Sequence, residues 1–155
     1  MTDRKQAILE EWDRAHAETL ALLESLQPED LTRPTACEGW TVFDQVAHLA
    51  AAATVLPPQI GRMRRREPNP GFEALQRRNA EGVALRRNRS LAELIAEFRQ
   101  AHINNRELLL ALPEAELDIE GPLVSGELIT IAERFRRAGL HYREHADYIR
   151  RALGR

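Results

Sequence analysis

Gly139-Leu140-His141-Tyr142-Arg143-Glu144-His145-Ala146-Asp147-Tyr148-Ile149 is the stretch whose reading decides the fold of this chain. Two histidines four residues apart on a helix stand about one turn apart on the same face. Their imidazoles can reach one small object together, and a divalent metal is the commonest such object. The pair alone is a weak signal, because two ligands rarely hold a metal firmly. A third ligand has to come from another helix, and the candidate is His48.

Working outward, the closing helix is expected over residues 127–153, with Leu128, Ile131, Phe135, Ala138, Tyr142, Ile149 and Leu153 as its apolar stripe. His141 and His145 flank that stripe, as ligands at the open end of a bundle would. A first helix over 3–26 buries Ile8, Trp12, Ala15, Thr19, Leu22, Leu23 and Leu26, with His16 beside them. The second, over 41–56, opens on Thr41 and Asp44 as a reciprocal cap and is stopped by Pro57-Pro58. It is rich in alanine, and His48 is nearly its only polar group after Gln45. Taken by itself, such a histidine reads equally as a satisfied core residue.

Residues 59–89 are expected to be a long polar connection, basic at 62–66, with a helix of its own over 72–87 presenting Phe72, Leu75, Asn79, Val83 and Arg86. Ser90 and Glu93 form the cap of the next helix, which runs to Leu112 along the seam Leu91, Ile95, Phe98, His102, Asn105, Leu109 and Leu112. Two of these seam positions are polar. His102 and Asn105 either satisfy each other's neighbours in the core or line a pocket, together with Tyr142. Residues 113–126 read as a loop, and no strand pattern competes anywhere. Four main helices, with a long connection between the second and third, predict an all-α four-helix bundle in a single domain of residues 1–155.

Composition narrows the function. A net charge of -2 gives no global attraction to nucleic acid or an anionic membrane, although Arg62, Arg64, Arg65, Arg66 and Arg86, Arg87, Arg89 cluster locally. One cysteine, Cys37, excludes an intramolecular disulfide and a cysteine-rich metal site, and it reads as structural. The first fourteen residues are mostly polar and charged, so the expected compartment is the cytoplasm of a bacterium. Ala-rich helix faces of this kind suit a homodimer.

Three segments resemble the DinB-like superfamily, which includes the maleylpyruvate isomerase N-terminal type and thiol-dependent S-transferases. They are residues 31–49, with Cys37-Glu38-Gly39-Trp40-Thr41 and the helical His48; residues 79–113; and the closing His141-Tyr142-Arg143-Glu144-His145. The resemblance implies a divalent metal held by His48, His141 and His145. Zinc is the first expectation, and nickel, iron or manganese also suit imidazole. It further implies a low-molecular-weight thiol such as mycothiol or bacillithiol, made nucleophilic by the metal and transferred to a small electrophile or used to isomerise it. Arginines of the 62–66 connector would meet the thiol's acidic groups. The isomerase type carries Glu where this chain has His141, and a second domain beyond this length, so transfer is expected ahead of isomerisation. The rival expectation is a metal-binding stress-response bundle without thiol chemistry.

Overall fold

Helix α1 (Asp3–Glu24) is started by Thr2, whose hydroxyl accepts from the Lys5 N–H, and every residue of its expected stripe is buried. Helix α2 (Val42–Thr54) begins with the reciprocal Thr41–Asp44 cap and is enclosed on nearly all sides. The computed structural model describes residues 1–37 and 39–155; Glu38, within the stretch that carries the family resemblance, lies outside the described residues.

Pro57-Pro58 does not leave an open connection behind it. After a break at Val55 the two prolines fall in the first turn of α3 (Leu56–Arg64), where a missing N–H has no intrahelical partner to lose. Helix α4 (Phe72–Ala84) follows, so the long connection is itself largely helical. Of the residues expected along one side of this helix, Phe72 is 59% exposed and Val83 is buried. The α4 backbone approaches α2 through Gly82, where an added Cβ would come within 2.9 Å of Ala51 Cβ. Helix α5 (Leu91–Ala111) takes the forward half of its cap, Ser90 accepting from the Glu93 N–H. Its seam runs through Leu94, Phe98, His102, Asn105 and Leu109; Leu91 and Ile95 sit at its edge.

The expected loop 113–126 and the expected first turn of the closing helix together form a two-stranded antiparallel hairpin, β1 (Glu120–Pro122) and β2 (Leu128–Thr130), with Gly121 opposite Ile129. Strands of three residues carry too little alternation to be read from pattern. As a result α6 (Ile131–Leu153) starts at Ile131, capped by Thr130, and Leu128 is left 61% exposed on the hairpin. Helix α6 packs on α1 and α2, and α2 on α5, around Trp12, Phe98, Phe135 and Tyr142. The architecture is the all-α four-helix bundle of α1, α2, α5 and α6, with α3, α4 and the hairpin laid across it.

The core and the hairpin positions of this segment are separable by mutation. Phe135→Ala empties a fully buried site and is expected to lower the unfolding free energy by about 3–5 kcal/mol in urea titration. Leu128→Ala removes exposed surface, and a change within about 0.5 kcal/mol is expected. Equal losses would mean that Leu128 belongs to the core.

Candidate metal centre

His48 projects from the alanine-rich face of α2 and is 4% exposed; His145 on α6 is 8% exposed, and His141, one turn before it, is half-buried. One ring nitrogen from each lies within 4.8 Å of the others. His48 Nε2 and His141 Nε2 face one another at 3.2 Å. Without a cation between them one of these nitrogens has to carry the proton that the other accepts. With a cation both lone pairs are used, and nitrogens at tetrahedral zinc distances stand about 3.3 Å apart. Trp40 closes over the His48 ring, centroid to centroid 4.9 Å.

The third ring is oriented from behind. His145 Nδ1 lies 2.7 Å from Gln45 Oε1, and an amide oxygen only accepts, so His145 carries its proton on Nδ1 and keeps the Nε2 lone pair free. Gln45 is held in turn, donating from Nε2 to Thr35 Oγ1 at 3.1 Å, and Thr35 donates to the Trp40 carbonyl at 2.8 Å. This chain ties the 31–41 loop to the α6 ring it positions. Gln45, fully buried on an otherwise apolar helix, was the legible sign of it.

A cavity of about 360 Å³ opens beside the trio, lined by His48, His141, Asn105, Tyr142, Gln59 and the arginines 78, 134 and 137. Asn105 and Tyr142, two of the three residues expected along a pocket, are in this lining. Asn105 also donates to the Ala53 carbonyl at 2.8 Å, joining α5 to α2, while burial raises the Tyr142 hydroxyl above its usual range. His102 is not in the lining. Its ring turns toward α1, where Asp13 Oδ1 lies 2.8 Å from Nε2 and His16 stacks on it at 3.9 Å between centroids. The first helix supplies partners that the seam pattern of α5 could not reveal. Cys37 sits half-buried in the 31–41 loop and is not one of the converging groups.

The basic connector divides. Arg64 pairs with Glu116 and Arg65 with Glu67, while Arg62 lines a second cavity. The arginines that reach the trio's cavity are Arg78 on α4 and Arg134 and Arg137 on α6, none singled out from sequence. Arg134 stands seven residues before His141, two turns along the same face, and that spacing was the available signal.

With the geometry in view, comparison with known proteins decides the family. Residues 12–141 match the model of the mycothiol maleylpyruvate isomerase N-terminal domain. The chain belongs to that family. Among curated proteins none matches it significantly. Its fold matches the mycothiol-dependent maleylpyruvate isomerase structure with a TM-score of 0.76 at 17% identity, over 96% of this chain but 63% of that one. This member of the family therefore spans less than two thirds of the isomerase's length. YfiT from Bacillus subtilis, put forward as a metal-dependent hydrolase with an unusual four-helix bundle topology, matches at TM-score 0.75 and 17% identity, over 99% of this chain and 90% of its own. A protein from Exiguobacterium sibiricum put forward as a DinB-family member matches at 0.65 and 18% identity, over 99% and 92%. The chain is thus DinB-like in fold.

Every histidine of this family member is held below the ordinary imidazole range, in each case first by burial. His48 falls to about 3, with His145 and Arg78 adding repulsion, and His145 and His16 fall to about 4. The unfolded chain takes up these protons near pH 6.5 and the folded one does not until about pH 4, so the unfolded state binds more protons in that window. Stability of the metal-free protein should be full above pH 6.5 and decline steadily toward pH 4 in thermal melts; a flat profile would show the rings to be solvated. Gln45→Leu, which unpins His145, is expected to weaken metal binding about 10–100-fold in competition with a chelator, and an unchanged affinity would remove Gln45 from the site.

Proposed function

We propose that this protein binds one divalent metal ion through His48, His141 and His145 and uses it to transfer a low-molecular-weight thiol to a small electrophile. The observation that carries the metal is the convergence of three buried or half-buried imidazoles with no carboxylate among them. Neutral imidazole is the ligating form, and burial keeps these rings neutral at physiological pH. Three protein ligands beside an open cavity fit a catalytic arrangement better than a closed structural one. Zinc is the first choice of metal, since imidazole donors and a near-tetrahedral edge both suit it.

Once bound, the cation would lower the proton affinity of a coordinated thiol, giving a thiolate at neutral pH. The remaining work belongs to the chain. Gln45 fixes the ring of His145, Trp40 and the α2 alanines exclude water from the back of the site, and Asn105 and Tyr142 shape the wall the electrophile would meet. Membership of a family named for a mycothiol-dependent enzyme supports the choice of a thiol, with mycothiol or bacillithiol as the class. Transfer is preferred to isomerisation because the third ligand is His141. The described helices include none long and apolar enough to cross a membrane.

The test is spectroscopic. The cobalt-substituted protein titrated with a small thiol should gain a sulfur-to-metal charge-transfer band, absent when His141→Ala replaces wild type. A spectrum indifferent to every thiol would reject transfer and leave a metal-binding bundle without thiol chemistry.

A further inference from the structure

The cavity beside the three histidines does not end there. A second one, of about 370 Å³, lies against the β-hairpin and the 67–71 segment. The two share Gln59, Leu75, Arg78 and Arg134 as a common wall. Arg62 lines the second cavity from α3, so α3, α4 and α6 each send one arginine to that cavity.

None of the three has a carboxylate within ion-pair distance among the described residues, although most arginines of the bundle do. Arg134 bonds only to a neutral group, donating from Nε to Gln59 Oε1 at 3.1 Å. The carboxylates along the two cavities are Glu67, which is bonded to Arg65 and lies near enough to Arg62 to feel its charge without pairing with it, and Glu144, exposed on α6. The cations are close enough to disturb one another. Burial, then Arg78, Arg137 and Arg62, bring Arg134 down to about 10, and burial and Arg62 lower Arg78. Half-buried guanidinium groups crowded without counter-charge oppose folding, and such arrangements persist where a ligand supplies the missing charge. Arg78 and Arg134 line the first cavity together with His48 and His141, which places the cluster within a small molecule's length of the imidazoles.

We infer that Arg62, Arg78 and Arg134 form an anion subsite that takes the carboxylate of an organic acid whose other end reaches the three histidines. The second half of that statement rests on the proposed function; the binding of the acid does not. Guanidinium suits the task because its planar donors match a carboxylate in pairs. The acid can be carried by the electrophile or by the thiol, and the same chemistry recognises both.

The test separates these cases. Succinate titrated calorimetrically into the metal-free protein should bind, with affinity about tenfold weaker in Arg78→Gln and in Arg134→Gln, since each loses a charge-assisted contact. Arg78→Lys, which keeps the charge, should lose less, and the exposed Arg151→Gln should stay within about twofold of wild type. Because removing a crowded cation relieves repulsion, neither Gln variant is expected to melt lower than wild type. Because this titration uses the metal-free protein, a failed metal centre would leave its result intact. On the zinc-loaded protein, 3-mercaptopropionate binding more tightly than cysteamine, with the difference lost in Arg78→Gln, would assign the acid to the thiol. Succinate binding alongside cysteamine would assign it to the electrophile. No saturable succinate binding, or binding that both Gln variants leave unchanged, overturns the subsite.

Discussion

The burial of three imidazoles at one junction of α2 and α6 is the constraint on which the rest of the structure depends. An imidazole withdrawn from water without a full set of partners costs free energy, and here His48 Nδ1 has none while His48 Nε2 and His141 Nε2 compete for one proton. The alanines of α2 allow this helix to sit in the middle of the bundle, close enough to α6 for His48 to meet rings from the opposite side. The Thr41–Asp44 cap, the Thr35–Gln45–His145 chain and Trp40 all bear on the same few ångströms. A bundle optimised only for stability would have leucine in these places. A cation that uses the lone pairs turns the cost into binding energy.

Charge gives the site its second property. Three neutral ligands leave a divalent ion with its full charge, and three arginines without carboxylate partners stand along the adjoining wall. With the proposed metal bound, such a site would be strongly electropositive inside a protein whose net charge is -2. It would draw anionic molecules and favour the ionised form of any acid or thiol that enters. Many of the other arginines are paired with carboxylates, as in Arg86–Glu97 and Arg106–Asp13, whereas these three line one cavity without such a partner.

Much of the architecture was legible because it rests on local, periodic signals. The stripe of α1, the caps of α2 and α5 and the apolar face of α6 from Ile131 onward were readable one helix at a time, and so was the placing of His141 beside His145. What escaped depended on contacts across the sequence or on elements too short to have a period. Pro57-Pro58 reads as a stop by itself, and only the fold shows that it falls in a first helical turn. The hairpin is held by three residue pairs, and its presence moved Leu128 from the core to the surface. His102 looked like a pocket residue because Asp13 and His16, which occupy its ring, lie on another helix. Arg78 and Arg134 were lost among the many arginines of this chain, since ion-pair partners, or the want of them, are a tertiary property. The convergence of His48 with the closing pair was the long-range feature that a family resemblance did bring into view.

The most direct measurement is the metal content of the purified protein by plasma mass spectrometry, wild type beside His48→Ala and His145→Ala. A metal centre built across α2 and α6 predicts about one metal ion per chain in the wild type and its loss in both variants, with each variant still folded by circular dichroism. A wild-type protein that holds no metal after soaking and buffer exchange, or variants that retain it, would contradict the account.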